Sequence, residues 1–299
     1  MKKTFFLLTL CFLSLGAFAD SDIPAPDWGQ KRLVSMTRVD NNDKATFKYD
    51  KVGRLAEFSH GDDDTWIFTY TDNQMVATSK YRRVVMNIAD GIATSGVIEM
   101  GVDGPDLTVT TEYDNEGHMQ WCRRKSTSTD MKMTCQWSGD NITSLENYND
   151  GKLNIHVDFS FSSTPAPLLL QIIAITSDLG TPIALNNTGI GLSMGLYMGK
   201  LPLNRIAKTS MVRKNKSMDY NYSYETNSNG DITRFSIGDR SYALEWENNP
   251  VTPKPSGIST ITADKSSMVY SLSGQQMKNK DVLQKGIYII NKKKVVVRN

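Results

Sequence analysis

The chain has few of the residues on which metal and nucleophile chemistry depend. It holds three histidines and three cysteines among 299 residues. No two of His60, His118 and His156 have the short regular spacing with which paired histidines bind zinc. The segment 60–64, His-Gly-Asp-Asp-Asp, lacks the alternating acidic positions of a calcium loop. We therefore expect neither a metal site nor a cofactor.

The order of the residues excludes one class of serine nucleophile. Residues 191–195 read Gly-Leu-Ser-Met-Gly and match the pattern G-x-S-x-G of a nucleophile elbow, with Ser193 at its centre. That motif needs a strand before it, a helix after it and a histidine later in the chain. All three histidines precede Ser193. The sequence therefore predicts no catalytic residue, and no pair of carboxylates is singled out elsewhere.

Long hydrophobic runs are also scarce, and the longest lies at the N-terminus. Two lysines precede a nearly unbroken apolar stretch at 5–18, and the Ala-Phe-Ala at 17–19 is a small-x-small cleavage site before Asp20. The apolar stretch is shorter than the roughly 20 residues that a membrane-spanning helix needs. We expect residues 1–19 to be a secretory signal peptide, the protein to be exported, and no transmembrane segment to be present.

Neither sign of charge is in strong excess. The formal net charge is +2, and the excess of basic over acidic residues lies in the last forty-odd residues, where three consecutive lysines stand at 292–294. Because basic residues are not interleaved along the preceding body, the pattern is not typical of a nucleic-acid-binding protein. We expect no nucleic-acid partner.

A loose unit recurs between residues 33 and 247: an alternating strand with an aromatic residue, a short polar turn, and another strand. Alternation places the aromatics on one strand face, and Gly or Asn in the turn supplies a positive φ. The steps between successive aromatics are 21, 43, 24 and 22 residues, and the long step indicates one strongly diverged copy. The aromatics that mark these copies are Tyr49, Tyr70, Tyr113, Trp137 and Phe159, and a further copy joins Tyr222 and Tyr224 to a turn at Gly230.

These units predict an all-β protein with minor α content. The antiparallel hairpins would form a large twisted sheet or an open barrel, followed by a small β-sandwich-like module at the C-terminus. The segment 165–175 is too densely apolar for an exposed strand and predicts a short helix packed on the sheet or a fully buried strand. The predicted organisation is a lead-in at 20–32, a hairpin repeat domain at 33–248, a Pro-rich linker at 249–256 and a tail at 257–299.

The tail resembles a known kind of sorting signal. Residues 269–277 read VYSLSGQQM and residues 285–298 read KGIYIINKKKVVVR. These phrases resemble the C-terminal sorting domains of the type IX secretion system, which carry cargo across the outer membrane in gram-negative bacteria of the Bacteroides type. The resemblance implies the secretion machinery as a partner and the cell surface or the medium, rather than the periplasm, as the destination. The alternative is a small β domain that stays with the protein.

The body carries two further resemblances. The motif Tyr-Asp-x-x-Gly-Arg-Leu at 49–55 is similar to the YD, or RHS, repeat of bacterial surface shells. The hairpin units, the apolar segment and the Gly-Lys-Leu-Pro-Leu-Asn at 199–204 together resemble a family of secreted Bacteroides-type proteins known as domain of unknown function 4595. That resemblance covers roughly residues 33–247, and it implies no known activity.

Two cysteines are left after removal of the signal peptide. An exported protein meets an oxidising compartment. A two-residue turn at 128–129 would place Cys122 directly opposite Cys135, with Cβ atoms about 4.5–5.5 Å apart, a separation that a disulfide closes at a non-hydrogen-bonded pair. We predict a structural disulfide between them, with two free thiols as the alternative.

Aromatic side chains on the strands are the remaining signal for binding. Flat aromatic faces suit sugars or peptides, whereas packing in the core is the alternative for most of them. We predict a secreted or cell-surface, non-catalytic binding protein for a glycan or a peptide. The alternatives are a secreted polysaccharide hydrolase with paired carboxylates and a structural envelope component. The candidate ligand-facing aromatics are Trp66, Trp121, Trp137, Tyr113 and Tyr224.

Overall fold

The computed structural model describes residues 23–60, 64–176, 188–214, 216–250, 269–271, 286–290 and 293–297. The chain divides between residues 251 and 252 into two compact units. The predicted signal peptide, most of the Pro-rich linker and residues 61–63 of the His-Gly-Asp-Asp-Asp segment lie outside the described residues.

Sixteen antiparallel strands form a closed barrel in the first unit. Each strand pairs with its neighbours in the chain, and the ring closes where β1 pairs with β16, from Lys31↔Asn248 to Arg38↔Tyr242. The all-β prediction is confirmed, but the sheet is closed rather than open. The first eight strands are β1 (Lys31–Arg38), β2 (Lys44–Tyr49), β3 (Leu55–His60), β4 (Asp64–Tyr70), β5 (Gln74–Thr78), β6 (Arg83–Ala89), β7 (Ile92–Glu99) and β8 (Leu107–Tyr113). The second eight are β9 (Met119–Lys125), β10 (Asp130–Ser138), β11 (Asn141–Asn149), β12 (Lys152–Pro165), β13 (Asn204–Arg213), β14 (Lys216–Thr226), β15 (Ile232–Ile237) and β16 (Arg240–Asn248).

In the described residues between β12 and β13 there are two short helices. They are α1 (Leu168–Thr176) and α2 (Thr188–Gly195), and α1 confirms the helical alternative for the apolar segment. The helices pack closely because α2 ends on a glycine: a Cβ atom at Gly195 would lie 2.6 Å from Cγ2 of Ile172. Neither of these helices, within the described residues, is long and apolar enough to cross a membrane.

The interior of the barrel is apolar. A single cluster of buried hydrophobic side chains takes at least one member from every barrel strand and also includes side chains of both helices. Strand alternation explains its composition, since Phe58, Trp66 and Met75 point inward with no exposed surface. The helical segment fills space inside the ring that the strand side chains alone leave open.

The outer face of the wall is largely polar, with Val76, Val85 and Val97 among its apolar exceptions. Many of the residues that alternate with the inward ones are charged and form ion pairs between strands. Lys48 Nζ lies 2.8 Å from Glu57 Oε1, directly across β2 and β3, and Arg83 pairs with Glu99 across β6 and β7. Neighbouring strands are also joined by the pairs Lys208–Asp219, Arg234–Glu225 and Arg123–Asp130, and Lys44 of β2 reaches across β1 to Glu245 of β16.

The second unit contains a three-stranded antiparallel sheet in the described residues. Its strands are β17 (Val269–Ser271), β18 (Gly286–Ile290) and β19 (Lys293–Val297), in that order. They lie within the two tail phrases, at 269–277 and 285–298. The described part is a single sheet rather than a sandwich.

The predicted disulfide is wrong. The turn between β9 and β10 spans four residues, 126–129, and closes with a bond from Ser126 N to Thr129 O. This register places Cys122 opposite Met133 rather than opposite Cys135. Both thiols are free and buried in the interior.

The polarity of the wall predicts different costs for the same substitution on its two faces. Ile98 on β7 is fully buried, whereas Ile67 on β4 points outward and is 46% exposed. We expect Ile98→Ala to lower the free energy of unfolding by about 2–5 kcal/mol, through lost burial and a cavity. Ile67→Ala should cost less than about 1 kcal/mol. Urea denaturation of both variants checks this, and equal losses would contradict an apolar interior behind a polar wall.

Candidate functional site

The two ends of the barrel differ in what they carry. One end, here called the mouth, holds the turns at 50–54, 71–73, 90–91, 114–118, 139–140 and 227–231, together with the lead-in segment 23–30 and the described parts of the helical insertion, 166–176 and 188–203. The opposite end, the base, holds short turns that include 39–43, 79–82, 126–129 and 238–239. Most of the described residues of the first unit that lie outside the strands are therefore at the mouth.

Three mouth turns share one hydrogen-bonding scheme. The side-chain oxygen of the first turn residue accepts backbone N–H bonds from the residues two and four positions later, and a glycine with φ between +83° and +88° stands three positions later. Asp50, Asp114 and Asn227 supply that oxygen. These side chains replace backbone partners and hold each turn in one conformation. The Tyr-Asp-x-x-Gly motif identified in the sequence is the basis of this turn.

Aromatic residues at the mouth fasten neighbouring strands. The ring hydroxyl or indole N–H at the end of one strand donates to the carbonyl at the start of the preceding strand. The six bonds are Tyr49 to Leu33 (2.7 Å), Tyr70 to Leu55 (2.8 Å), Tyr113 to Ala93 (2.7 Å), Trp137 to Met119 (2.9 Å), Tyr224 to Ile206 (2.9 Å) and Trp246 to Ile232 (2.6 Å). The predicted aromatic repeat thus has a structural cause.

The long step in that repeat contains β6. Its register shifts at Ile88, as that of β2 shifts at Tyr49 and that of β8 at Tyr113. Ile88 is buried in the interior. An apolar residue therefore stands where the other copies have an aromatic donor, which confirms a diverged copy.

Cationic or imidazole side chains cover several of these rings. The guanidinium carbons of Arg32 and Arg54 lie 4.5 and 4.4 Å from the ring centres of Tyr49 and Tyr70. Such contacts contribute about 0.5–2 kcal/mol each, more when the groups are desolvated. Arg205 covers Tyr224 at 5.4 Å, and His118 stacks on Trp137 at 4.7 Å.

Burial keeps the mouth tyrosines neutral. Desolvation is the largest cause that raises the pKa of Tyr49, Tyr70, Tyr113, Tyr197 and Tyr224 far above the ordinary value of 10.0. A neutral phenol donates its O–H, which is what the carbonyl acceptors require. These side chains therefore act as hydrogen-bond donors at any physiological pH.

The segment after α2 is hydrogen-bonded to the mouth turns. Tyr197 O accepts from Ala93 N at 2.7 Å, and Lys200 N donates to Gly117 O at 2.8 Å. Gly199 permits this approach, because a Cβ atom there would lie 2.4 Å from Gly117 O. The helical insertion is thus held by the same turns that end the strands.

A basin of about 770 Å³ opens at the mouth. Its apolar lining includes Leu196, Tyr197 and Leu201, from the segment after α2. Its charged residues are Asp27 of the lead-in, Asp90 of the β6–β7 turn, Asp140 of the β10–β11 turn and Lys200.

The charges around the basin are unbalanced. Lys200 Nζ lies 3.4 Å from Asp140 Oδ1 and offsets that carboxylate. Asp27 and Asp90 are exposed at the same basin. The basin therefore presents net negative charge over an apolar floor. A much smaller apolar cavity of about 30 Å³, with room for about one water, lies deeper between β9–β11 and the insertion.

The predicted ligand-facing aromatics lie in three different environments. Trp66 has no exposed surface, so the prediction is wrong for that residue. Tyr113, Trp137 and Tyr224 are half-buried inside the mouth, where each serves as a strand fastener. Trp121 points outward from β9, donates to Glu112 Oε2 at 2.6 Å and lies under Lys132. A ligand role for these four residues stays a prediction.

The residues considered for catalysis and metal binding are dispersed. Ser193 is buried within α2 and does not stand on a strand-to-helix turn. His60 pairs with Asp43 at the base, His118 is buried at the mouth, and His156 is on the outer wall. Across the described ranges, no group of three or more His, Cys, Asp or Glu side chains is arranged to hold a metal ion.

Sequence reasoning missed the basin. Its carboxylates stand at positions 27, 90 and 140, far apart in the chain, and closure of the ring brings them to one end. The sequence did contain one signal. In an up-and-down meander every second turn lies at the same end, and several of the turns at this end carry an acidic residue.

Removing the hydroxyl of a strand-fastening tyrosine should lower stability more than removing the hydroxyl of a surface tyrosine. Tyr49→Phe removes the donor to Leu33 O and leaves that half-buried carbonyl without it, so we expect a loss of about 1–2 kcal/mol in the free energy of unfolding. Tyr81, which is 59% exposed, is the matched control, and Tyr81→Phe should change stability by less than about 0.5 kcal/mol. Urea denaturation measures both. A Tyr49→Phe variant as stable as the control would show that the fastener contributes nothing.

Comparison with known proteins supplies a fold but no family. No family model matches the chain, and no curated protein matches it. Among solved structures, it is similar to a porin-like protein from Bacteroides uniformis ATCC 8492, with a TM-score of 0.56 and 16% identity over 75% of this chain and 99% of that one. It is also similar to a porin-like protein from Bacteroides vulgatus ATCC 8482, with a TM-score of 0.53 and 13% identity over 73% of this chain and 98% of that one. At these identities the likeness shows that the chain shares their barrel fold.

Proposed function

We propose that this protein is an exported, non-catalytic binding module that holds its ligand in the mouth basin. The basin, framed by hydrogen-bonded turns and the segment after α2, is the observation that carries the proposal. Binding sites on rigid scaffolds are commonly built from the loops at one end. Export through the signal peptide at 1–19 and delivery to the surface through the tail at 257–299 belong to the same proposal.

The polarity of the wall supports a barrel that stands in water. A barrel that spans a membrane presents an outward apolar band about 25 Å tall. Here the outward positions carry cross-strand ion pairs such as Lys48–Glu57 and Arg83–Glu99. The interior, as far as the described residues show it, is apolar and contains side chains of both helices. We therefore propose a role at the surface or in the medium that does not involve conduction through the barrel.

The chemistry of the basin favours a basic, partly apolar peptide. Asp27 and Asp90 attract positive charge, and the leucines of the floor bury apolar side chains. Sugar recognition ordinarily uses an exposed aromatic face, whereas the aromatic residue of the basin, Tyr197, is 4% exposed and donates its hydroxyl to Pro24 O.

A glycan is the second candidate, at a different place. Trp121 is partly exposed on the outer wall, and a cavity of about 410 Å³ nearby is lined by Arg123, Lys132 and Tyr148 among others. Aromatic faces beside polar groups suit a sugar. Polysaccharide hydrolysis and a structural envelope role stay alternative hypotheses.

Two fluorescent peptides test the peptide proposal by anisotropy. They share the same leucines, and one carries lysines where the other carries glutamates. We expect the lysine peptide to bind and the glutamate peptide not to bind. The double variant Asp27→Asn/Asp90→Asn should weaken binding about fivefold at low salt, as expected for two exposed charges.

Asp239→Asn is the matched control, since Asp239 is an exposed aspartate in a turn at the base. It should leave the affinity unchanged. Equal affinity for both peptides, or no effect of the double variant, would contradict the basin as the site. Binding of an oligosaccharide panel that is lost in Trp121→Ala would replace the peptide proposal with the glycan candidate.

A further inference from the structure

A buried arginine inside the barrel has no counter-charge among the described residues. Arg124 points inward from β9 and is 1% exposed. Its Nε and Nη1 atoms have no hydrogen-bond partner among the described residues, and its Nη2 reaches only the sulfur of Met131, at 3.5 Å. A thioether sulfur is a weak acceptor. An unpaired ion in such a place is strongly unfavourable unless something compensates it.

The neighbouring side chains do not supply the missing charge. Burial lowers the pKa of Arg124 to about 10, so the guanidinium is still charged at neutral pH. Burial is also the main cause that raises the pKa of the Cys122 thiol to about 11, and that thiol is therefore neutral at pH 7. The strand partners of Arg124 are Val109 and Met131, which are uncharged.

The adjacent residue shows the contrast. Arg123 points outward and is bound through two nitrogens to the carboxylate of Asp130. The same strand thus carries an outward arginine that is paired with a carboxylate and an inward arginine that is not. Arg124 is also the next-to-last residue of β9, close to the base turn at 126–129.

We infer that Arg124 is the anchor of an internal binding site for a small monovalent anion of chloride or formate size. One positive charge is neutralised by one negative charge, and the guanidinium offers N–H donors that lack partners. The apolar strand partners favour a compact ion with few further hydrogen-bonding needs. This site is separate from the mouth basin and does not depend on the proposed function.

Crystals of the full chain grown in sodium bromide test the site directly. We expect an anomalous bromide peak within hydrogen-bonding distance of the Arg124 guanidinium. A water molecule there, or no density, with bromide only at the outer surface, would overturn the inference.

Thermal melting tests the same site in solution. Chloride is raised at constant ionic strength against sodium gluconate, whose anion is too large to enter. We expect the Tm to rise by about 2–4 °C once chloride is about fivefold above its Kd. A parallel series in sodium formate shows whether a halide or a carboxylate binds more tightly.

Two arginine variants separate this site from general salt effects. Arg124→Met should lose the dependence on chloride, whereas Arg123→Met, which removes one arginine from the same strand, should keep it. Loss of the dependence in neither variant, or in both, would contradict the assignment. If Arg124→Met does not fold, the bromide position in the unaltered protein decides.

Discussion

A ring of sixteen strands must be filled if it is to be stable with an apolar interior, and the rest of the barrel depends on this constraint. Side chains alone fill a ring of about eight strands, whereas rings of sixteen or more leave an aqueous channel. This chain places α1 and α2 in the ring and packs them closely through Gly195. The consequence is a wall with an apolar inner face and a charged outer face.

The helices fill the ring from the mouth, and this determines the structure of the turns at that end. The insertion enters at the mouth, so the turns there must hold it as well as connect strands. Asp50, Asp114 and Asn227 stiffen three turns, while tyrosine and tryptophan donors fasten neighbouring strands. The basin lies where these turns, the lead-in segment and the chain after α2 meet. Its position therefore follows from how the barrel is filled.

Local patterns predicted the parts of this fold that are local. Tyr49 and Tyr113 marked hairpins correctly because alternation and turn chemistry act over a few residues. Closure was not predictable, since the pairing of β1 with β16 joins residues more than 200 positions apart. Alternation also does not say which face is inside, which is why Trp66 was misplaced. A displacement of one turn by a single residue moves the register by two residues, and this was enough to predict a wrong disulfide at Cys122.

We propose that the wall faces water around an apolar interior, in contrast to a conducting barrel. The most direct measurement mixes the folded protein with lipid vesicles, separates bound from free protein by flotation, and records the conductance of planar bilayers exposed to it. The account predicts folded protein in the aqueous fraction without detergent, and no conductance steps. Co-flotation of folded protein with the vesicles, together with stepwise conductance, would contradict it.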